Sequence, residues 1–344
     1  MQAVIMAAGK STRTYPLTLT IPKPLLKVAN RAILEHNLDS LMGIADEAII
    51  IVGYKKNLIK KSIGNKHKNI KIKYAEQKRQ LGTAHALSVA EPRIKDRFIL
   101  MAGDDIYSKE DIKNCTNNKY SILTAKAKNP QNFGVIVEKN GILADFVEKP
   151  KKFISSLIST SLYCLDKKIF HCMKQVRKSQ RNEFEMPDAI KLLSKKNNIY
   201  CVPSGQWLPI GYPWDLLKAD EVLRKGKNLI GKNSKITGKV KNSSVGDNCT
   251  IKGNVENSIV MDNAIIGKGS VVKDSVIGRG VYFQGRIISK SSIYSIIKNK
   301  KIKVDRLGAI IADNVEADNV VIHAGCKIWP NKSISNKIVK EDII

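Results

Sequence analysis

Aromatic and acidic side chains are both scarce in this chain. Tyr, Phe and Trp together make up 6% of its 344 residues, too few for the stacked platform that single-stranded nucleic acid needs. Asp and Glu number 31 against 59 Lys and Arg, giving a formal net charge of +28. That surplus would suit a polyanion binder, but the basic residues run along both halves and no nucleic-acid-binding motif gathers them. They read as solvated faces that also steer small anions inward, so neither a specific nucleic acid nor a membrane is expected as a partner. No apolar run approaches the roughly 20 residues a membrane-spanning helix needs. The opening MQAVIMAAG lacks a basic leader region and a cleavage pattern, so it reads as a buried strand, and a cytoplasmic location is expected. The six cysteines (Cys115, Cys164, Cys172, Cys201, Cys249, Cys326) form no CxxC pair. They are expected as free thiols in a reducing compartment. His36, His67, His85 and His171 form no recognisable ligand cluster.

The chain is too long for one comfortable core, so two domains are expected, and its texture changes midway. The first half alternates short apolar runs (AVIM at 3–6, AIIIV at 48–52, residues 70–74, FILMA at 98–102) with helical patterns at 32–42, 55–63 and 83–90. On 32–42 the apolar face is Ile33, Leu34, Leu38 and Leu41. This rhythm predicts a doubly wound, Rossmann-like α/β domain with a mostly parallel sheet buried on both sides. Residues 119–164 are strand-rich, with a hairpin turning at Asn140-Gly141. Helices are expected at 184–196 and 213–225, and the boundary near Arg224–Lys227.

Beyond 229, aliphatic residues recur every six positions: Ile259, Ile265, Val271, Ile277, then Ile322, Ile328, Ile334. Gly, Asn, Asp and Ser fill the spaces. Six fits neither a helical face nor an alternating strand; it fits a solenoid of short strands and turns. The pattern resembles the left-handed parallel β-helix of hexapeptide repeats, interrupted at about 282–306 by a loop or short hairpin.

The first strand is followed by AAGKSTRTYPLTLTIPKPLL, residues 7–26. Small residues after a strand let backbone N–H groups approach phosphates. Arg13 offers a planar donor fork and Lys23 a compact charge, while Pro22 and Pro24 keep the lysine's segment extended. Asp104 follows a buried strand, at the kind of strand end where doubly wound sheets bind ligands. Asp105 reads as a turn or helix-cap residue.

Taken whole, the string resembles the GxGTR…PLT…PKPL signature of sugar-1-phosphate nucleotidylyltransferases, in the archaeal-type bifunctional branch that carries an acetyltransferase-like β-helix. Further matches follow in order: Gln77 with Leu81-Gly82-Thr83-Ala84, Gly103-Asp104, Phe133-Gly134-Val135, Val147-Glu148-Lys149-Pro150, and Gly211-Tyr212-Pro213-Trp214-Asp215-Leu216. The resemblance implies a catalytic domain at 1–226 and a β-helix at 229–344. It implies transfer of a nucleoside monophosphate from an NTP, UTP before dTTP, to GlcNAc 1-phosphate or glucose 1-phosphate, with release of pyrophosphate. Arg13, Lys23 and Lys149 would act on the phosphates. Ala8, Gly9, Ser11, Thr12, Gln77, Gly82 and Thr83 would hold the nucleotide, Gly134, Glu148 and Thr160 the sugar, and Asp104 a Mg²⁺. A homo-oligomer, in particular a trimer, is implied by similar solenoids.

Three departures stand out. Ser11 replaces the second loop glycine. Ser159-Thr160-Ser161 stands where the sugar pocket has Asn-x-Gly or Thr-Gly. In Trp207-Leu208-Pro209-Ile210-Gly211, Pro209 replaces the carboxylate that serves the family as a second metal ligand. A decayed, regulatory or scaffolding homologue is therefore an alternative. So is an added acetyl transfer from acetyl-CoA through His323, although Ala312 and Asp318 replace two glycines of the corresponding coil.

Overall fold

Two compact units make up the computed structural model, which describes all 344 residues. The first comprises Met1–Gly9 and Leu34–Pro209. Its elements run β1 (Gln2–Ala7), α1 (Ile33–Ser40), β2 (Glu47–Val52), α2 (Lys56–Ile63), β3 (Ile70–Glu76), α3 (Thr83–Ser88), β4 (Phe98–Ala102) and α4 (Lys109–Thr116). Then come β5 (Ser121–Lys126), β6 (Gly134–Lys139), β7 (Ile142–Glu148), β8 (Leu157–Leu165), α5 (Lys168–Met173), α6 (Met186–Ser194) and β9 (Tyr200–Pro203).

The strands lie in the order β6-β7-β9-β5-β8-β4-β1-β2-β3, with Lys66–His67 on the outer edge. β4, β1, β2 and β3 are mutually parallel, the βαβ wiring expected from the alternating first half. Every residue of β2 and β4 is buried, which is why β4, and β2 from Ala48 onward, read as unbroken apolar runs. β8 enters antiparallel between β4 and β5, so the strand-rich middle makes the sheet mixed. The β6–β7 hairpin turns at Asn140 and Gly141, with φ of 52° and 73°, the left-handed pair that a two-residue turn demands. On α1, Ile33, Leu34 and Leu38 are fully buried, as is Leu41 just past its end, as their spacing predicts.

The second unit comprises Lys10–Ile33 and Ile210–Ile344. It contains α7 (Asp215–Arg224) and a parallel β-helix whose rungs stack in register, Val245 on Val260, Ile277, Ile311 and Ile328 in turn. The hexapeptide spacing is right, but its inward frame is partly one residue off. Ile265 is 42% exposed, whereas Ile266, Val260 and Val272 are fully buried. The doublets Ile259-Val260, Ile265-Ile266 and Val271-Val272 hide the frame, because only the pleat decides which aliphatic turns inward.

Asparagine has a definite task here. Asn233, Asn248, Asn263, Asn314 and Asn331 all have positive φ, as does Gly280; they stack at one corner of the solenoid. Apart from glycine, asparagine is the residue that tolerates this conformation best, and its amide is reused along the stack. Asn233 donates to Asn248 at 3.3 Å, and Asn314 to Asn331 at 3.2 Å. The expected interruption is an antiparallel hairpin, Lys290–Ile297 with Lys300–Leu307. It leaves the coil after Ile287 and returns at Gly308.

Candidate active site

The carboxyl ends of β1, β2, β3 and β4 lie side by side, and the motif residues of the first unit sit just beyond them. Ala8 and Gly9 follow β1, Gly53 follows β2, Gln77 follows β3, and Gly103-Asp104 follows β4. Backbone bonds fix this edge: Gly103 N donates to Met6 O at 2.9 Å, Gln77 N to Val52 O at 2.9 Å, and Tyr54 N to Ala8 O at 3.0 Å. The edge is tight as well. A Cβ on Gly103 would stand 2.9 Å from both Ile5 Cγ2 and Met6 O, and one on Gly53 would stand 2.9 Å from Ala8 O. These glycines are there for space, not for a special φ.

Gln77 is buried, and its amide donates to Gly82 O at 3.2 Å and to His85 Nδ1 at 3.0 Å. The Leu81–Ala84 segment is pinned from outside: Phe184 N donates to Leu81 O at 2.8 Å, Ala84 N to Phe184 O at 3.0 Å, and Met186 N to Thr83 Oγ1 at 3.0 Å. Gly82, at φ 107°, lets its backbone pass against Phe184. This segment is a preformed cradle of polar backbone with one buried side-chain amide.

Asp104 is half-buried directly after β4. Asp105 accepts a hydrogen bond from the Trp207 indole at 3.2 Å. The cap of α4 is Ser108, whose hydroxyl accepts from Asp111 N at 3.0 Å, so Ser108 takes the helix-cap place that the sequence offered to Asp105. The Trp207 ring meets Phe133 edge-on at 6.0 Å, and Phe133 O accepts from Lys149 N at 2.9 Å. Short links thus carry the neighbourhood of Asp104 to that of Lys149.

At that second edge, Gly134 stands opposite Glu148 in the hairpin register. Lys149 has φ 44° and places its ammonium 2.8 Å from Glu148 Oε1. Arg181, which the sequence reading did not single out, also reaches Glu148 Oε1 at 3.0 Å; it lies 2.8 Å from Glu183 and 3.5 Å from Glu185. Burial pushes the Glu185 carboxyl up, and the Arg181 charge works against that. The only sequence signal for this cluster is the run of charge in Arg181–Glu185. Thr160 is buried, with its hydroxyl donating to Leu123 O at 3.1 Å and its carbonyl accepting from Tyr107 at 2.6 Å. What it offers a ligand is backbone position, not a donor.

The second unit holds the remaining motif residues. Ser11 takes up the left-handed conformation at φ 50°, a position where glycine would be unstrained. Its carbonyl ties the loop together, accepting from Thr14 N at 3.0 Å, Thr14 Oγ1 at 2.7 Å and Thr18 Oγ1 at 2.9 Å. Thr12 opens a tight helical turn, Arg13 is exposed with its guanidinium 5.7 Å from the centre of the Tyr212 ring, and Lys23 is buried. Tyr212 stacks on Trp214 at 5.0 Å. Asp215 accepts from Gly211 N and Tyr212 N, both at 2.8 Å. Burial raises its carboxyl, and those two bonds, with the charges of Lys23 and Arg13, pull it back. His323 is half-buried in the last coils, with its N–H on Val339 O at 2.9 Å.

Two kinds of chemistry fit poorly. All six cysteines are unpaired, and burial pushes the thiols of Cys115 and Cys201 up to about 12, so neither supplies a thiolate. No group of three or more His, Cys, Asp or Glu is poised around a common point, so an all-protein metal cage is not the donor set. A single carboxylate at a strand-end edge would suit Mg²⁺, which keeps waters and takes oxygens from a phosphorylated ligand.

Comparison with known proteins gives the family. Residues 2–226 match the nucleotidyl transferase family, and residues 220–344 match the family described as the GMPPB C-terminal domain. A "Bifunctional protein GlmU" of Methanococcus aeolicus is 40% identical over 70% of this chain and 60% of its own length. The protein of the same name from Methanococcus vannielii is 34% identical over 100% of this chain and 96% of its own. The "UTP--glucose-1-phosphate uridylyltransferase AglF" of Haloferax volcanii is 34% identical over 65% of this chain and 97% of its own. With the family match running from the first strand through α7 and the glycine-lined edge falling inside it, the chain belongs to the nucleotidyl transferase family.

Proposed function

We propose that the protein transfers a nucleoside monophosphate from an NTP to a sugar 1-phosphate and releases pyrophosphate. The observation that carries this reading is the shared edge of β1 to β4, where Ala8, Gly9, Gln77 and Asp104 come together. A sugar 1-phosphate is already anionic near neutral pH, so its oxygen attacks the α-phosphorus without a protein base. What opposes reaction is charge repulsion, and what needs stabilising is the departing pyrophosphate; positioning and cations answer both.

Arg13 and Lys23 act on the triphosphate, with Ser11 and Thr12 offering loop donors. Gln77, Gly82 and Thr83 with the Ala8–Gly9 backbone hold the nucleoside. Lys149 binds the sugar phosphate, Gly134 and Glu148 the hydroxyls, and Thr160 shapes that pocket through its backbone. Asp104 would hold Mg²⁺, which supplies charge neutralisation at phosphate oxygens. Lys149 and Glu148 pair with each other at 2.8 Å, which holds both in place until a ligand offers each a better partner.

UTP is favoured over dTTP, and glucose 1-phosphate or GlcNAc 1-phosphate is the acceptor; the uridylyltransferase name borne by the Haloferax relative supports the first choice. We place the functional boundary between 226 and 229. The free cysteines support the cytoplasm as the site of action, and no helix is long and apolar enough to cross a membrane. The solenoid flank exposes Ile265 (42%) beside Tyr282 (37%) in adjoining rungs. That apolar strip supports a homo-oligomer, for which we propose a trimer, to be read from its mass in solution.

The test is pyrophosphate release from UTP and dTTP with glucose 1-phosphate and GlcNAc 1-phosphate. Release fastest with UTP is expected. Silence with every pair in Mg²⁺, Mn²⁺ and Co²⁺ would overturn the assignment in favour of a regulatory homologue.

A further inference from the structure

The segment Lys10–Ile33 belongs to the same compact unit as the solenoid, and its attachment is specific. On its own it has little to define its shape: three turns of three residues each (Thr12–Thr14, Leu17–Leu19, Lys23–Leu25) and one pair of two-residue strands. A segment with so few internal backbone bonds takes its position from whatever it is tied to.

It is tied to one corner of the β-helix. Asp247, Asp262, Arg279 and Asp313 each lie two residues past a stacked inward aliphatic, Val245, Val260, Ile277 and Ile311 in turn, so they form a single column. Two of these carboxylates are fixed from behind by the preceding rung: Asp262 Oδ1 accepts from Asp247 N at 2.9 Å, and Asp313 Oδ1 from Arg279 N at 2.8 Å. Both also turn oxygen towards the segment. Lys27 Nζ bonds Asp262 Oδ2 at 2.7 Å and Oδ1 at 2.9 Å, with Asp247 at 3.7 Å. Thr20 Oγ1 donates to Asp313 Oδ2 at 2.8 Å. Beside them, Asn30 Nδ2 donates to Val245 O at 2.7 Å.

We propose that this acidic corner is a rail that positions the segment carrying Arg13 and Lys23, with Lys27 and Thr20 as positioning residues for nucleotidyl transfer. The solenoid is then part of the transfer machinery, not only an oligomerisation module. Carboxylates held by backbone amides are rigid acceptors, and an ammonium with two oxygens of one carboxylate has little room to wander. Small displacements of phosphate-binding cations lower rates steeply, so the corner controls catalysis without touching substrate.

The inference rests on the function proposed above, and the experiment separates the two. Full-length wild type, Lys27→Met, Lys27→Arg, Asp262→Asn and Thr20→Val would be compared by amide hydrogen exchange and by steady-state kinetics with UTP. The informative amides are Thr14, Leu25 and Leu26, which bond within the segment to Ser11 O, Pro22 O and Lys23 O. In Lys27→Met and Asp262→Asn their exchange should rise roughly 10-fold while the Val260 and Ile266 amides keep wild-type rates, and kcat should fall by a similar factor with little change in the KM for sugar phosphate. Thr20→Val should show the same changes more weakly, and Lys27→Arg should restore both readouts. Unchanged exchange at the three amides, or equal acceleration throughout the solenoid, would overturn the proposal. Should the wild type transfer no nucleotide at all, the assigned function falls, and the rail still stands or falls on exchange alone.

Discussion

The Trp207 indole donates to Asp105 Oδ2 at 3.2 Å, across a short antiparallel pairing in which Trp207 faces Tyr107. Asp105 is thereby committed to holding its turn, and under the proposed function its neighbour Asp104 is the carboxylate that would hold the metal. Asp104→Asn should therefore lower kcat by roughly 10²-fold or more, and chelation by EDTA should silence the wild type. Asp105→Asn and Trp207→Phe should cost only a few-fold, roughly what a lost neutral hydrogen bond is worth. A titration of activity against Mg²⁺ for each variant distinguishes them. Equal losses at the two aspartates would remove the distinction.

Gln77 gives its amide hydrogens to Gly82 O and His85 Nδ1, and under the proposed function its carbonyl oxygen would face the base. Gln77→Ala is expected to raise the KM for UTP by about tenfold, the value of roughly 1.4 kcal/mol. His85→Ala should raise it less, since the amide stays but loses its orienter. Initial rates at varied UTP, with the sugar phosphate saturating, give both numbers.

A methyl at position 134 would stand 2.6 Å from Phe146 Cε2 and 3.1 Å from Glu148 Oε2. Gly134→Ala should therefore displace Glu148 and raise the KM for sugar 1-phosphate while sparing that for UTP. Overpacking of this kind typically costs about 1–3 kcal/mol, so thermal denaturation should show a lowered Tm.

Asp215 sets a pH dependence whose sign can be worked out. Burial raises its folded pKa above the unfolded value of roughly 4. The stability this group contributes is therefore complete below the unfolded value and is lost as pH rises through the folded one. Asp215→Asn keeps an acceptor for the Gly211 and Tyr212 amides but cannot ionise. Calorimetry from acid to neutral pH should show the variant gaining on the wild type as pH rises, while its activity falls because Arg13 and Lys23 lose a nearby negative charge. A constant difference in Tm across that range would contradict this account.

Some of these features were open to reading from residue order alone, and others were not. Buried parallel strands announce themselves because both faces need apolar side chains, so β2 and β4 were plain. The solenoid announced its period but not its frame, since Ile265-Ile266 offers two aliphatics and only the pleat chooses. Motif order singled out Asp104, Gln77 and Lys149, because strand ends and glycines leave local marks. Arg181 left only the run of charge it shares with Glu183 and Glu185; it reaches Glu148 through tertiary folding of a polar loop. For the same reason nothing in the sequence announced that Thr20 and Lys27 would meet Asp313 and Asp262, hundreds of residues away.

The hairpin at Lys290–Leu307 has an evolutionary consequence. The coil before it and the coil after it stay in register, Ile277 stacking on Ile311 as if nothing lay between. Elongation at the Lys298-Asn299 tip can therefore proceed without disturbing that stacking, while Ser295, donating to Gly325 O at 3.2 Å and accepting from Lys327 Nζ at 3.2 Å, fastens the hairpin to the following coil. Its outward face, with Tyr294 63% exposed among lysines, is free to diverge between lineages at a rate the inner aliphatics could never tolerate.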